Sequence, residues 1–235
     1  LFRSDKKSHD LNQGTSSRKI TCLVAPLPRR PIGTARGTAR TQSWRVVDIV
    51  VAAVLAAACA VIASAGIPAL RLSDVAREAG VSPTAPYRHF ADKEGLLTAV
   101  AADGWERLAD AMVDLRADAA LSPLEKMRTA LATVVTMSRR QPHLYRLMFR
   151  PPEGDPSVVF IAAQRMCDEF QSIVDGIAGH DNSERYAAML LTGVHGAVGV
   201  EMGGLLQTDK WQTTADELVE SLLALVYDAA RRGRY

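Results

Sequence analysis

The stretch that decides the fold is residues 72–90, LSDVAREAGVSPTAPYRHF. Four apolar residues recur in its first half at helical spacing: Leu72, Val75, Ala76 and Ala79. They predict a helix over residues 72–79, which Gly80 can end because glycine readily adopts a left-handed backbone. Ser82 then stands as the N-cap of a second helix over residues 83–90. This order predicts a helix-turn-helix, whose second helix enters the major groove of DNA, with an ordinary helical hairpin as the alternative.

Residues 90–97, FADKEGLL, lead from this motif into a long following helix. Together with the alanine- and leucine-rich helix before the motif and its Tyr87-x-x-Phe90 ending, they resemble the signature of the TetR family of bacterial transcription regulators. The resemblance covers residues 46–100. Further on, residues 194–196 (VHG) are similar to the motif of the subgroup whose regulatory domain carries Trp-His-Gly, with valine in the place of tryptophan.

The resemblance implies an all-α chain, with a three-helix helix-turn-helix DNA-binding domain followed by a helical-bundle regulatory and dimerisation domain. It implies a homodimeric repressor that binds a palindromic operator and is released by a small apolar effector. The DNA contacts that it implies are Ser73, Ser82, Thr84, Tyr87, His89 and Lys93. Among these, Thr84 is the candidate for a base edge, Ser73 reaches the groove, and the other four face the phosphate backbone.

Helix-capping signals divide the rest of the chain. Ser122 with Glu125, and Thr214 with Glu217, have the spacing of capping boxes, and no segment alternates long enough to predict a strand. Nine helices are predicted, over residues 46–65, 72–79, 83–90, 93–117, 123–140, 142–149, 156–178, 183–207 and 214–232. The predicted regions are a basic arm (1–45), a DNA-binding domain (46–95) and an effector-binding and dimerisation domain (96–235).

The basic arm holds ten Lys or Arg and two Asp, a net charge of +8, whereas the rest of the chain has a net charge of −6. Its prolines, glycines and polar residues predict disorder. Residues 71–93 have a net charge of only +1, which is low for a DNA-binding surface. The arm is therefore a candidate to follow DNA phosphates, and a leader without a role is the alternative.

The fifteen apolar residues of Ile49–Ala63 allow three interpretations. A membrane span needs about 20 apolar residues, more than the fifteen of this run. A signal peptide has only a short basic segment before its apolar core, whereas more than forty residues precede this run. The bulky residues Val51, Val54, Leu55 and Ile62 share one helical face, opposite Ala53, Ala56, Ala57 and Ala60. This pattern favours a helix of a soluble protein, with a secreted or membrane-tethered helical binding domain as the alternative.

Residues with the potential for catalysis or metal binding are scattered. Cys22, Cys59 and Cys167 lie far apart, without the spacing of a zinc or redox site, which predicts a protein of the reducing cytoplasm. The sequence has no nucleophile motif and no metalloprotease motif. It therefore predicts no enzyme, no cofactor and no metal ion.

All seven methionines lie between Met112 and Met202, with several aromatic residues near them in the sequence. Such an adaptable interior predicts a site for an apolar effector, with plain core packing as the alternative for each residue. The candidate lining residues are Trp105, Met112, His143, Tyr145, Phe149, Met166, Phe170 and His195.

The last two predicted helices have the composition of an interface. Glycines recur along the first of them, at positions 193, 196, 199 and 203, and would let another helix approach closely. The second carries an apolar row of Leu218, Leu222, Leu225 and Ala229. The resemblance implies that these two helices pair with those of a second copy, and packing within one chain is the alternative.

Overall fold

A computed structural model of the protein describes residues 39–207 and 209–232, with side chains from residue 49 onward. This part of the chain contains eight α-helices, two short 3-10 helices and no β-strand, so the all-α prediction is confirmed. The α-helices are α1 (Ala39–Ala65), α2 (Leu72–Glu78), α3 (Lys93–Ala117), α4 (Pro123–Arg140), α5 (Pro142–Phe149), α6 (Pro156–Ala178), α7 (His180–Met202) and α8 (Ala215–Arg232). We call residues 39–95 the head and residues 96–232 the body.

Helix α1 begins at Ala39, before the predicted start at residue 46. The remainder of the predicted arm, residues 1–38, lies outside the described residues. Three bulky residues of the predicted apolar face are buried: Val54, Leu55 and Ile62. Ala57, which the pattern places on the opposite face, is buried as well. The reason is that α1 packs against α2, α3 and α5, which together cover more than one of its faces.

The apolar run Ile49–Ala63 lies entirely within α1. No helix in the part of the chain that the structure describes is long and apolar enough to cross a bilayer. Val54, Leu55 and Ile62 of the run instead contribute to the core of the head, and no feature of the described residues favours the secreted or membrane-tethered alternative.

Helix α2 ends in the way that its sequence predicts. Gly80 has a φ of 66°, and the N–H of Val81 donates to the carbonyl of Ala76 at 3.0 Å. A left-handed glycine with this backbone hydrogen bond closes a helix and turns the chain sharply. The apolar face of α2 is buried at Leu72, Val75 and Ala76.

The predicted α-helix over residues 83–90 is wrong. Residues 83–85 form a turn, and a 3-10 helix follows at Pro86–Arg88. An α-helix after Ser82 would need the N–H of residue 86 to reach the Ser82 carbonyl, and Pro86 has no N–H. The N–H of Ala85 donates to that carbonyl instead, at 2.9 Å, with the shorter spacing of a 3-10 turn. Ser82 is therefore not the helix N-cap that the sequence predicts.

The long helix α3 begins at the head and continues through the body, where it packs most extensively against α6. Ion pairs between these two helices support the apolar contact. Arg116 Nε donates to Glu169 Oε2 at 2.8 Å, and Arg165 Nη2 donates to Asp110 Oδ1 at 2.7 Å. Since α3 extends from one region into the other, it is a rigid connection between them.

Both predicted capping boxes are present. The Ser122 hydroxyl accepts from the Glu125 N–H at 3.3 Å, and Glu125 Oε2 accepts from the Ser122 N–H at 2.8 Å. Thr214 and Glu217 make the same pair of hydrogen bonds, at 3.2 and 3.0 Å, before α8. These side chains satisfy backbone groups that the first turn of a helix leaves unpaired.

Helix α7 runs over His180–Met202 and not over the predicted residues 183–207. Gly179, with a φ of 75°, ends α6, and α7 begins directly after it. At the other end Gly203 caps the helix, and Gly204 has a φ of 73°. The two adjacent glycines end the helix earlier than its apolar pattern suggests.

Candidate nucleic-acid interface and ligand site

The segment from α2 to the start of α3 presents polar side chains above a buried apolar base. The base consists of Leu72, Val75, Ala76, Pro86 and Phe90, all buried. The exposed side chains include five of the predicted DNA contacts, Ser73, Ser82, Thr84, Tyr87 and His89. Tyr87 is 57% exposed, although a phenol ring buries well, so folding leaves it available to a partner.

The two hydroxyl groups of the turn face each other. Ser82 Oγ lies 3.4 Å from Thr84 Oγ1, and among the described residues neither group has another hydrogen-bond partner. Both side chains are exposed. Because neither hydroxyl is used to cap a helix, both can turn toward a phosphate oxygen or a base edge.

Lys93, the sixth predicted DNA contact, is half-buried at the first position of α3. Its Nζ donates to the carbonyl oxygen of Pro68 at 3.3 Å, which ties α3 to the turn after α1. The N-terminus of α3 is capped by Asp92, whose Oδ1 accepts from the Gly95 N–H at 2.8 Å. An approaching phosphate would therefore meet an ammonium group that retains two hydrogens, beside a carboxylate of the same turn.

Three arginines add positive charge to the head: Arg71, Arg77 and Arg88 are all exposed. Arg77 Nη2 pairs with Asp74 Oδ1 at 2.9 Å on the surface of α2. Such an exposed pair contributes little to stability, so the guanidinium can exchange the carboxylate for a phosphate at small cost.

Four of the eight predicted ligand residues come together in the body: Trp105 of α3, Tyr145 and Phe149 of α5, and His195 of α7. We call them the aromatic cluster. The Phe149 ring stacks on the His195 ring, with centroids 3.9 Å apart and an angle of 24° between the planes. The rings of Trp105 and Tyr145 each lie 4.9 Å from that of Phe149. Through the cluster, side chains of three helices meet around one ring.

Tyr145 and His195 form the polar pair of the aromatic cluster, with the phenol oxygen 3.0 Å from Nδ1 of the imidazole. Burial lowers the pKa of His195 and raises the pKa of Tyr145, so both groups are uncharged at neutral pH. Trp105 satisfies its own N–H by donating to the Met148 carbonyl at 3.1 Å. The cluster thus has hydrogen-bonding groups and no charge of its own.

The other four predicted ligand residues lie elsewhere. Met112, Met166 and Phe170 are at most 1% exposed, in the packing of α3 against α6. Within the described residues no ring contact joins Phe170 to the aromatic cluster. His143, a residue of α5, lies beside the end of α1, because a β-carbon added to Gly66 would be 3.7 Å from His143 Cε1. His143 is thus placed where the body meets the head.

A contact that sequence reasoning missed lies between α3 and the loop after α5. A β-carbon on Gly154 would be 2.6 Å from Thr98 Oγ1 and 3.4 Å from the carbonyl oxygen of Glu94, so only glycine fits there without a shift. A shallow crevice beside it is lined by Leu97, Thr98, Ala101, Leu147, Pro151 and Pro152, together with Glu94, Arg150 and Glu153. In the sequence, Gly154 is one glycine in a proline-rich loop and gives no signal of this contact.

Helices α7 and α8 leave an apolar face that no other described residue covers. Met189 is 42% exposed and Leu225 is 68% exposed, and Leu218 is exposed as well. A β-carbon on Gly196 or Gly199 would meet nothing within 4 Å. Of the predicted row of α8, Leu218 and Leu225 are thus exposed, whereas Leu222 and Ala229 are half-buried. Gly193 lies against the Leu222 side chain, so this pair packs within the chain. The core beneath the row is filled by Val219, Leu223 and Val226.

Neither Cys59 nor Cys167 is arranged for catalysis, and Cys22 lies outside the described residues. Cys59 Sγ accepts from Arg107 Nη2 at 3.4 Å, yet burial raises the pKa of its thiol, as it does for Cys167. A thiol with a raised pKa is a poor nucleophile and a poor metal ligand. No group of His, Cys, Asp or Glu among the described residues is arranged to hold a metal ion.

Two family models match the chain. The model of the bacterial regulatory proteins of the tetR family matches residues 54–100, which include the helix-turn-helix. The model of the tetracyclin repressor-like C-terminal domain matches residues 127–226. Together the two models match more than half of the chain.

Solved structures have the same fold. A protein of unknown function from Rhodococcus sp. RHA1 is 27% identical, with a TM-score of 0.64 over 77% of this chain and 94% of its own. A TetR family transcription regulator from Marinobacter aquaeolei VT8 is 21% identical, with a TM-score of 0.53 over 79% of this chain and 97% of its own. A TetR transcriptional regulator from Legionella pneumophila is 18% identical, with a TM-score of 0.52 over 75% and 95%.

Proposed function

Because the chain belongs to the TetR family of bacterial regulatory proteins, whose members are DNA-binding transcription regulators and not enzymes, we propose that it is a repressor controlled by a small molecule. In this proposal a homodimer binds a palindromic operator, and an effector bound in the body releases it. The division at residues 95 and 96 into a DNA-binding domain and an effector-binding domain is part of the proposal, as is a cytoplasmic location.

The observation that carries the proposal is the set of exposed polar side chains around the turn at residues 82–89, held above a buried base. In our proposal Ser82, Tyr87, His89 and Lys93 contact phosphates, and Thr84 contacts a base edge. Phosphate contacts position a protein on the duplex, whereas base contacts select the sequence. Ser73, exposed on α2, reaches the groove beside them.

A homodimer would bring two such heads to one duplex. The exposed apolar face of α7 and α8 supports this pairing, because Leu218 and Leu225 are otherwise left in water. Small residues such as Gly196 and Gly199 leave room for a helix of the second copy. Two-fold symmetry of the protein then requires a palindromic operator with half-sites roughly 34 to 36 Å apart.

The effector would act through the contacts that lead from the body to the head. The aromatic cluster includes Phe149, the last residue of α5, and the loop that follows α5 packs on the first turns of α3 at Thr98. A ligand that displaces Phe149 would move this loop and tilt α3, which carries Lys93 at its start. The spacing of the two heads would change, and operator affinity would fall.

The experiment that tests the proposal is selection of duplexes from a random pool by the purified full-length chain, with its mass in solution measured by sedimentation. We expect a dimer and an enriched palindrome. A monomer at micromolar concentration, or the absence of an enriched sequence, would refute the proposal. The basic arm is tested in parallel by removing residues 1–38. If the arm contacts DNA, the truncated chain will show a shallower dependence of affinity on salt.

A further inference from the structure

We infer that the aromatic cluster takes an uncharged, flat small molecule with a carbonyl-type acceptor, which accepts a hydrogen bond from Nε2 of His195 and replaces the Phe149 ring on the imidazole. This inference rests on the proposed effector function and specifies the chemistry of the ligand. It depends on the direction of one hydrogen bond, on the charge of the cluster and on the position of one ring.

The direction of the Tyr145–His195 hydrogen bond follows from burial. Tyr145 is 2% exposed, and its phenol has no other hydrogen-bond partner among the described residues. If the phenol only accepted from Nδ1, its own hydrogen would be buried without an acceptor, which is costly. The phenol therefore donates to Nδ1. A neutral imidazole whose Nδ1 accepts carries its hydrogen on Nε2.

The Nε2–H group of His195 is then a donor without a partner in the described part of the chain. Among the described residues, one fully buried side-chain nitrogen or oxygen has no hydrogen-bond partner, and it is an oxygen of Asp175. The unpartnered Nε2 of His195 is therefore not fully buried. His195 is half-buried beside the rings of Tyr145 and Phe149. A ligand that reaches the cluster thus meets one fixed donor.

The same hydrogen bond selects against charged ligands. A cation cannot accept the Nε2 hydrogen. A carboxylate that kept His195 protonated would require Nδ1 to donate, and the buried Tyr145 phenol would then lose its acceptor. Burial, which lowers the pKa of His195, opposes that protonation as well. An uncharged acceptor such as a ketone, ester, lactone or amide oxygen leaves the pair intact.

The flat shape follows from the stacking of Phe149. Its ring stacks on the imidazole, with 3.9 Å between the centroids and 24° between the planes, and the Trp105 ring lies 4.9 Å from it at an angle of 64°. Phe149 is half-buried at the end of α5, so it is the ring of the cluster that can leave at least cost. A flat ligand would take over its stacking on His195 and its contact with Trp105.

Four naphthalene derivatives that differ in one substituent test the inference by calorimetric titration of the full-length chain. They are 2-acetylnaphthalene, 2-ethylnaphthalene, 2-naphthoate and 2-naphthylmethylammonium. We expect 2-acetylnaphthalene to bind about tenfold more tightly than 2-ethylnaphthalene, as one added hydrogen bond allows, and more tightly than either charged probe. Equal binding of the four probes, or binding of none of them at millimolar concentration, would overturn the inference.

Variants assign the preference to His195. His195→Phe keeps a ring for stacking and should abolish the difference between the acetyl and ethyl probes. His180→Phe is the matched control on the same helix, because His180 is exposed at the start of α7, and it should keep the difference. A difference that survives in His195→Phe would overturn the inference. If that variant does not fold, the nitrogen NMR spectrum of the His195 imidazole in the unaltered protein tests the inference. We expect the hydrogen on Nε2, and the Nε2 signal to shift when 2-acetylnaphthalene is added. A hydrogen on Nδ1, or an unshifted Nε2 signal, would overturn the inference.

Operator binding separates this inference from the proposed function. Selective probe binding without any change in operator affinity would support the chemistry of the site and contradict effector release. A co-purified ligand that releases the operator equally well from the unaltered protein and from His195→Phe would support effector release and overturn this inference.

Discussion

Two serines stand directly before a proline in this chain, one in the head and one in the body. Ser122 precedes Pro123 and begins the 18-residue helix α4, where the N–H of Lys126 donates to the Ser122 carbonyl at 2.9 Å. Ser82 precedes Pro83 in the same way. The residue four positions after Ser82, which corresponds to Lys126, is Pro86, and proline has no N–H. The same start signal therefore produces a long α-helix in the body and a turn with a 3-10 helix in the head.

The difference shows how each region forms its functional surface. In the head, a short irregular segment exposes the hydroxyl groups of Ser82 and Thr84, and neither hydroxyl caps a helix. In the body, regular helices expose apolar residues such as Leu225 and gather aromatic rings from distant parts of the chain. We therefore expect substitutions in the turn to change DNA recognition alone, and substitutions on the helices to change pairing, stability and ligand response.

The largest expected effect is that of Leu225→Glu. Leu225 is 68% exposed, so a carboxylate there leaves the single chain folded but cannot be buried against a second copy. We expect a monomer by sedimentation. Operator affinity should fall on the order of 100-fold or more, because the two heads would no longer be linked.

Phe160→Glu is the matched control for Leu225→Glu. Phe160 is also 68% exposed and lies on α6, outside the exposed face of α7 and α8. It should remain a dimer with unchanged operator affinity. If Phe160→Glu separates the copies and Leu225→Glu does not, the pairing surface is on α6, and our division of roles among the helices is wrong.

The second expected effect, Gly154→Ala, acts where body and head meet. The added carbon would lie 2.6 Å from Thr98 Oγ1 and would force the loop after α5 away from α3. We expect unfolding by urea to show a loss of about 2 kcal/mol, typical of overpacking. The double variant with Thr98→Ala should recover part of this loss. Independent, additive effects of the two substitutions would show that the loop and α3 are not coupled there.

The third expected effect concerns the two kinds of DNA contact in the head. Lys93→Ala should weaken binding to all duplexes alike and reduce the slope of log affinity against log salt by about 0.9. Thr84→Ala should change the preferred base pair at one position, by about tenfold. Both variants should remain dimers. The measurement is the affinity for the operator and a set of its single-base variants at several salt concentrations. An unchanged salt slope for Lys93→Ala would contradict the phosphate contact and leave the Lys93 side chain only its hydrogen bond to Pro68.

The smallest expected effects test the two serines directly. Ser122→Ala removes a working N-cap and should lower the free energy of unfolding by about 1 kcal/mol. Ser82→Ala removes a hydroxyl that caps nothing and should change this free energy by less than about 0.5 kcal/mol, while weakening DNA binding. Equal losses of stability would mean that Ser82 caps a helix after all.

Part of the candidate site could be predicted from the sequence, and part could not. The exposed contacts Ser73, Thr84 and Tyr87 lie within one short segment, so the motif alone predicts where they stand. The ligand residues span almost a hundred positions, and apolar or aromatic character does not distinguish a site from a core. Met166 and Trp105 are equally good candidates in the sequence, and only the packing of α3 against α5 separates them.

The features that could be predicted from sequence depend on hydrogen bonds within a few residues: the left-handed Gly80 that ends α2, the capping boxes at Ser122 and Thr214, and the all-α fold. Even the failure of the second helix after Ser82 follows from Pro86, a residue only four positions away. Which helix faces meet could not be predicted in this way. Burial of Ala57, the stacking of Phe149 on His195 and the contact of Gly154 with Thr98 each join residues whose approach no local pattern encodes, because close packing depends on the positions of whole helices.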